Sequence, residues 1–156
     1  MDLAEKLKSV AVSLDLGSSS MEEVIGELAR LVASSLEKRG IDSDDLRDKL
    51  LKRERLLSTA MGCGIAFPHC TSKQLSEPAF ALGISRPGID CDAPDDKPVR
   101  IFFVVISPEK DPNSHLEALA SASKVFIDPT AREAILSAGD SGEVIAAIAA
   151  SERNRG

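Results

Sequence analysis

The sequence contains one almost continuously apolar run, Val99-Arg-Ile-Phe-Phe-Val-Val-Ile, which limits the possible folds more than any other feature. A strand with one face in water alternates apolar and polar residues, whereas a strand covered on both faces is apolar throughout. The β-branched and aromatic residues of the run are also typical of strands. The pattern therefore predicts a central β-strand over Val99 to Ser107 that lies between two layers of helices.

Helical patterns precede this run in the chain. Ser20, followed three residues later by Glu23, has the arrangement of a capping box and predicts the start of a helix. Apolar residues then recur at helical spacing, and Gly40 predicts where that helix ends. A second helix is predicted from Ser43 to about Leu57, with charged residues on its exposed side.

The last third of the chain also has helical patterns. They predict one helix over Ser114 to Ile127, and a short one up to Ala138 after a break at Asp128-Pro129. A final helix is predicted over Glu143 to Ser151, after a Gly- and Ser-containing turn.

Shorter strand patterns complete the expected fold. Val10 to Leu16 alternates apolar and polar residues, and further strands are predicted within residues 61–70 and over Ala79 to Ser85. Arg86 to Pro98 is rich in Pro, Gly and Asp and is expected to be a loop. Strands interleaved with helices predict an α/β fold, a single three-layer domain whose mixed β-sheet is flanked by helices on both faces.

Length and composition fit one globular domain. The chain has 156 residues, of which 43% are hydrophobic and 28% charged, so residues 1–156 are expected to form a single domain. The longest apolar stretches are far shorter than the roughly 20 residues that a membrane-spanning helix needs, so no membrane insertion is expected. Residues 1–8 carry mixed charge and lead into no apolar signal core, which favours a cytoplasmic location.

Charge and aromatic content argue against one class of partner, nucleic acid, and the cysteine count indicates the redox state of the thiols. There are 19 Lys and Arg against 25 Asp and Glu, and aromatic residues make up only 3%, so nucleic acid is not an expected partner. The odd set of three cysteines has no framework spacing and is expected to remain as reduced thiols.

The first of only two histidines, His69, follows a glycine-flanked strand pattern. Pro68 restricts Phe67 to an extended conformation and so sets the chain direction just before His69. Open α/β sheets place their ligands at strand ends, where an imidazole can act as acid, base or nucleophile. The pattern alone leaves this interpretation and that of a surface histidine in a turn equally open.

The second histidine, His115, is predicted to lie in the first turn of a helix. The unpaired N–H groups and the dipole at a helix start favour anions such as phosphate. The same dipole disfavours a protonated histidine, so taken by itself His115 is more simply interpreted as an exposed first-turn residue.

Arg53 lies near the predicted end of the second helix. Its planar guanidinium suits phosphate oxygens, and Ser58 or Thr59 is a source of further hydroxyl or backbone donors. The charge pattern around Arg53 is nevertheless more typical of a solvated helix face.

The segment Arg53-Glu-Arg-Leu-Leu-Ser-Thr-Ala-Met-Gly-Cys-Gly-Ile-Ala-Phe-Pro-His69 resembles the phosphorylation-site motif of a known family. This is the fructose, mannitol and nitrogen-regulatory EIIA family of the bacterial phosphotransferase system. The resemblance extends to Asn113-Ser-His115-Leu-Glu-Ala-Leu and to the order of elements over nearly the whole chain. It implies a single EIIA domain of the second type over residues 1–156.

The resemblance also implies roles for the three candidate residues. His69 would accept a phosphoryl group from the phosphohistidine of HPr or of a nitrogen-branch HPr-like carrier, and His115 and Arg53 would stabilise that group. No metal and no cofactor are expected, because transfer between imidazoles needs only an oriented nucleophile and donors for the phosphoryl oxygens. We expect Nε2 to be the phosphorylated nitrogen if Nδ1 is held by a backbone carbonyl.

The sequence departs from the family pattern directly after His69. Cys70 and Thr71 stand where members often have glycine and a basic residue, which places a thiol beside the expected nucleophile and makes a redox role conceivable. A metal site built from Cys63, His69 and Cys70 matches no standard zinc spacing and is a minor alternative.

Two functions follow from the resemblance. In one, phospho-His69 is a charge switch that controls a regulatory protein target, as in nitrogen-branch EIIA proteins, and this is slightly favoured. In the other, the chain is a sugar-transport EIIA of the fructose or mannitol type that passes its phosphoryl group to a separate EIIB domain.

Overall fold

The computed structural model describes residues 1–36 and 40–155, which contain six α-helices and six β-strands. The helices are α1 (Leu3–Lys6), α2 (Met21–Ser35), α3 (Ser43–Leu56), α4 (Pro112–Phe126), α5 (Pro129–Leu136) and α6 (Ser141–Arg155). The strands are β1 (Val12–Ser13), β2 (Ala60–Gly62), β3 (Ile65–Ala66), β4 (His69–Ser72), β5 (Ala79–Ile89) and β6 (Val99–Pro108).

The strands form one mixed sheet with β6 at its centre, as the apolar run predicts. The order along the sheet is β1-β5-β6-β3-β2, and β4 also pairs with β6. β5 runs antiparallel to β6, whereas β3 and β4 run parallel to it and lie end to end along the same edge of β6. The strand that carries His69 is therefore held directly by the central strand.

Helices cover both faces of this sheet. A Cβ added to Gly83 of β5 would lie 2.8 Å from Leu16 and 3.0 Å from Leu28 of α2, so Gly83 faces the layer of α2. Phe103 of β6 faces the other way, where its ring centroid lies 5.0 Å from that of Phe126 in α4. The predicted three-layer α/β fold is confirmed.

All five predicted helices are found, with caps that explain where they begin. Ser20 accepts a hydrogen bond from the N–H of Glu23, as the predicted capping box requires. Asp42 and Asp128 cap α3 and α5 in the same way through their carboxylates. None of the helices in the described ranges is both long and apolar enough to cross a bilayer.

Several predicted boundaries were wrong. The strand predicted over Val10 to Leu16 is reduced to β1, because a turn of 3₁₀ helix occupies Ser9–Ala11. The first long helix ends at Ser35 instead of reaching Gly40, since Leu36 is already extended. The sequence predicted that this helix ends at Gly40 after two basic residues, 38 and 39. These two residues lie outside the described residues.

The predicted loop over Arg86 to Pro98 was also partly wrong. β5 continues through Ile89, and its register with β6 shifts between Ile84 and Ile89. The shift accommodates Pro and Gly within a strand, which is where bulges commonly occur. The short helix α1 has no strong pattern in the sequence and was not predicted.

Candidate active site

His69 follows the short strand β3 and is itself the first residue of β4, so it lies at a strand end. It lies opposite Val105 in the parallel pairing of β4 with β6. The carbonyl of Pro68 accepts a hydrogen bond of 3.0 Å from the N–H of Val105, which secures the turn from β3 into β4. The backbone that carries His69 is thus held against the central strand of the sheet.

A backbone carbonyl orients the ring of His69. The Nδ1 atom of His69 lies 2.8 Å from the carbonyl oxygen of Phe67. Because a carbonyl oxygen only accepts hydrogen bonds, Nδ1 carries a proton, and in the neutral ring Nε2 then holds the free electron pair. The sequence analysis expected Nε2 to be the phosphorylated nitrogen if a backbone carbonyl holds Nδ1, and the carbonyl of Phe67 does so.

His115 lies in the first turn of α4 and faces His69. The two ring centroids are 5.4 Å apart with an angle of 51° between the ring planes. Nδ1 of His115 is 2.8 Å from Oγ of Ser107, a fully buried residue near the end of β6. The tertiary structure therefore brings together the two histidines that are far apart in the chain.

The start of α4 is less open to anions than its sequence suggests. Asp111 is the N-cap, and its carboxylate accepts a hydrogen bond from the N–H of Ser114. Pro112 offers no N–H group of its own. The side chain of His115, more than the free backbone amides, is therefore the feature of this helix start that can serve a phosphoryl group.

The surroundings of both histidines favour their neutral forms. Burial lowers the pKa of His69, the positive charge of Arg53 lowers it further, and the hydrogen bond to Phe67 and the negative charge of Glu54 act in the opposite direction. Burial also lowers the pKa of His115, with a smaller contribution from the charge of His69. A neutral His69 is the form that can act as a nucleophile at pH 7.

Arg53 lies in the last turn of α3, within electrostatic reach of His69. One guanidinium nitrogen, Nη1, donates a hydrogen bond of 2.8 Å to the carbonyl of Leu57. This bond restrains the side chain while leaving its other N–H groups for further acceptors. Arg53 therefore adds positive charge to the site from the helix layer opposite α4.

Ser58 and Thr59 do not have the free hydroxyl groups that the sequence suggested. The hydroxyl of Ser58 donates to the carbonyl of Cys91, and that of Thr59 donates to the carboxylate of Glu54. Both hydroxyl groups have protein partners, so they hold the loop between α3 and β2 in shape.

Cys70 directly follows His69 in the chain but lies on the other face of β4. All three cysteines are free; Cys63 is exposed, and Cys70 and Cys91 are buried. Burial raises the pKa of Cys70 to about 12, and Cys70 points to the sheet face opposite that of His69 because successive strand residues alternate. Its thiol is protonated and turned away from the site. Among the described residues, no group of three side chains is suited to hold a metal ion.

Two residues that support the site escaped the sequence analysis. Ser107 was seen only as the end of a predicted strand, and Glu54 only as part of a charged helix end. Glu54 lies in the segment from Arg53 to His69 that carries the family resemblance, five residues before Thr59. That position by itself does not predict a contact between the two side chains. The contact of Glu54 with Thr59 forms in the loop that follows α3, and the contact of Ser107 with His115 forms where α4 begins after β6.

The sequence and structure were compared with known proteins. Residues 5–151 match the family model described as "Phosphoenolpyruvate-dependent sugar phosphotransferase system, EIIA 2". A nitrogen regulatory protein of Pseudomonas aeruginosa is 32% identical over 125 residues, which cover 80% of each chain. The fructose-specific EIIABC component of Bacillus subtilis is 31% identical over 147 residues, covering 93% of this chain but only 22% of that protein.

Two further matches agree with these. The fructose-specific EIIA component of Haloferax volcanii is 37% identical over 97 residues, which are 62% of this chain and 63% of that protein. The crystal structure of the nitrogen regulatory protein IIA-Ntr from Neisseria meningitidis superimposes with a TM-score of 0.85 at 28% identity, covering 94% of this chain and 98% of that one. With the family model matching nearly its whole length, the chain belongs to the EIIA 2 family of the phosphoenolpyruvate-dependent sugar phosphotransferase system.

Proposed function

We propose that this chain is a phosphocarrier that accepts a phosphoryl group on Nε2 of His69 from HPr or a nitrogen-branch HPr-like protein. The observation that carries the proposal is the pairing of the two imidazoles 5.4 Å apart, with Nδ1 of His69 bound to a carbonyl. This arrangement leaves one neutral nitrogen available for attack beside a second imidazole. In this proposal residues 1–156 work as a single EIIA domain.

The proposed transfer needs no metal and no net proton movement. The electron pair of Nε2 of His69 forms the new N–P bond while the N–P bond to the donor's histidine breaks, and its electron pair returns to the donor ring. The ring of His69 thereby gains positive charge, which the carbonyl of Phe67 stabilises through the Nδ1–H bond. In this proposal His115, which faces His69, and Arg53, whose charge acts on it, stabilise the phosphoryl oxygens.

Exposed apolar residues beside these side chains support a protein as the phosphoryl donor. Leu56 and Leu57, which follow Arg53 closely, have 79% and 72% of their surface exposed. Leu116, directly after His115, is 66% exposed. Large apolar side chains left in water next to a reactive group are typical of a surface that a partner protein covers for part of the time.

The phosphocarrier role is tested by incubating the protein with phosphoenolpyruvate, enzyme I and HPr, or the nitrogen-branch carrier, and following its intact mass. We expect one acid-labile phosphoryl group, absent from His69→Ala. In His115→Ala we expect labelling slowed on the order of 100-fold, the size of effect of one lost stabilising group. Labelling of His69→Ala at the normal rate would refute the assignment.

Within this role, we favour a regulatory switch of the nitrogen-branch type. Its support is the match to nitrogen regulatory proteins along most of both chains, as in the Pseudomonas and Neisseria proteins. A doubly charged phosphoryl group on a partially apolar surface changes which proteins that surface binds. The alternative, transfer to a separate EIIB domain during fructose or mannitol transport, is supported by the match to the Haloferax EIIA component.

The two roles differ in what phospho-His69 does next. Phosphorylated and unphosphorylated protein are immobilised, bound proteins are compared, and transfer of phosphoryl to isolated EIIB domains is measured in parallel. A regulatory role predicts a partner that binds only one form and slow transfer to EIIB. Identical partners for both forms, together with fast transfer to an EIIB domain, would instead establish the transport role.

A further inference from the structure

The carboxylate of Glu54, in the last turn of α3, holds the loop that precedes β2. Its Oε2 atom accepts a hydrogen bond of 2.8 Å from the N–H of Thr59, and its Oε1 atom accepts one of 2.5 Å from the Thr59 hydroxyl. Thr59 is only 4% exposed. Two bonds to one ionised group, at a residue shielded from water, restrain Thr59 more strongly than neutral contacts would.

Thr59 in turn holds the residue that orients His69. The carbonyl of Thr59 accepts a hydrogen bond of 3.1 Å from the N–H of Phe67. The carbonyl of the same Phe67 accepts the Nδ1–H bond of His69 at 2.8 Å. A continuous series of hydrogen bonds therefore runs from Glu54 through Thr59 and Phe67 to the ring of His69.

Other contacts hold the segments on either side of that series. Ser58 ties the loop to the carbonyl of Cys91, at 3.0 Å, and has no bond to Phe67. Pro68 is held by Val105, which fixes the chain just after the Phe67 carbonyl. The bond from the Phe67 N–H to Thr59 fixes the chain just before that carbonyl, so the backbone of Phe67, and hence the position of the acceptor for Nδ1, depends on Thr59 as well.

Electrostatics at His69 agrees with this geometry. The charged groups that act on His69 are Arg53 and Glu54 from α3, and His115 faces it from α4. The negative charge of Glu54 opposes that of Arg53 and favours positive charge on the ring of His69. That is the charge the ring acquires when Nε2 forms a bond to phosphorus.

We infer that Glu54 is a positioning residue for His69: through Thr59 and Phe67 it keeps the proton on Nδ1 and leaves Nε2 free to react. Glu54 touches neither phosphoryl group nor partner in this role. The catalytic consequence rests on the function proposed above, whereas the effect on the His69 tautomer does not.

The experiment measures the tautomer and the rate separately. In ¹⁵N-labelled protein, the ring nitrogen shifts and two-bond couplings of His69 report which nitrogen is protonated, without any phosphoryl donor. Four variants are compared with the unchanged protein: Glu54→Ala, Thr59→Val, Thr59→Ser, and Glu133→Gln as a matched control at an exposed glutamate of α5.

We expect the unchanged protein, Thr59→Ser and Glu133→Gln to hold His69 in the Nδ1-protonated form. Thr59→Val loses the hydroxyl bond but keeps the N–H bond, so it should show a partial mixture of tautomers. Glu54→Ala should show the largest mixture. In phosphorylation by the carrier, Glu54→Ala should lower kcat by up to about 100-fold, the cost of a small misplacement, with little change in KM.

Other results would overturn the inference. One is a normal tautomer in both Glu54→Ala and Thr59→Val, even with lower thermal stability, since Glu54 would then be structural only. Another is a mixture of the same size in Glu133→Gln. If Glu54→Ala does not fold, the comparison of Thr59→Val with Thr59→Ser decides. If the unchanged protein shows the expected tautomer but is never phosphorylated, the proposed function fails while the positioning role of Glu54 stands.

Discussion

Phe126 is predicted to stabilise the protein more than an equally buried phenylalanine on the other side of the sheet. Phe126 and Phe102 are both fully buried. The ring of Phe126 lies 5.9 Å from that of Phe67 and 5.0 Å from that of Phe103, whereas Phe102 is in no ring pair of the described chain. The substitutions Phe126→Leu and Phe102→Leu remove similar volume and differ mainly in these pairs.

The expected magnitudes follow from those contacts. Replacing a buried Phe by Leu costs about 1 kcal/mol for the lost volume, because Leu refills most of the site. Each aromatic pair adds about 0.5–1.5 kcal/mol beyond the buried area. Phe126→Leu should therefore lower the free energy of unfolding by about 2–4 kcal/mol, and Phe102→Leu by about 1 kcal/mol.

Urea denaturation of the two variants beside the unchanged protein measures this difference. Phe67 also supplies the carbonyl that orients His69, so Phe126→Leu should shift the His69 ring resonances and Phe102→Leu should leave them nearly unchanged. Equal losses of stability in the two variants would refute the reasoning, because they would show that the ring pairs around Phe126 add nothing beyond burial.

Two further predictions concern pH and backbone geometry. Because the pKa of both His69 and His115 is lowered on folding, the unfolded chain binds more protons below pH 6.5, so stability should fall as the pH drops from 7 through 6.5 and below. Replacing both histidines by glutamine should flatten this pH dependence in urea denaturation at a series of pH values; an unchanged slope would contradict it. Gly88 has φ +85°, and a Cβ there would lie 2.6 Å from Cβ of Pro98, so Gly88→Ala should cost about 2–5 kcal/mol from strain and overlap. Gly17, with nothing within 4 Å of an added Cβ, is the control and should tolerate Ala within about 1 kcal/mol in thermal unfolding.

Much of the fold could be predicted because the signals are local. Ser20 and Glu23 cap a helix within one turn, and the apolar run from Val99 to Ile106 excludes an exposed face by its composition alone. The errors fall where the outcome depends on distant partners. Whether residues 86–89 extend a strand is decided by pairing with β6, which the Pro and Gly of that segment do not reveal.

In the candidate site, too, local motifs identify residues, whereas their hydrogen-bond partners depend on the tertiary structure. The motif ending in Pro68-His69 identifies the histidine that we propose as the phosphoryl acceptor, and the short segment around His115 identifies the second. Ser58 and Thr59 were considered as possible donors to phosphate, because a sequence shows a donor but not the acceptor it already has. Glu54 takes the hydroxyl of Thr59 only because α3 ends beside the loop.

The sequence by itself determines the layered α/β class and the family, and it singles out His69 and His115 as the candidate site residues. Each of these depends on residue type and spacing along the chain. Only the tertiary structure decides that the histidines meet, since β4 pairs in parallel with the end of β6 and α4 begins just after that end. It also decides which nitrogen of His69 keeps the proton. That choice depends on the direction of one carbonyl at Phe67, whose backbone is held by the hydrogen bonds of Phe67 to Thr59 and of Pro68 to Val105.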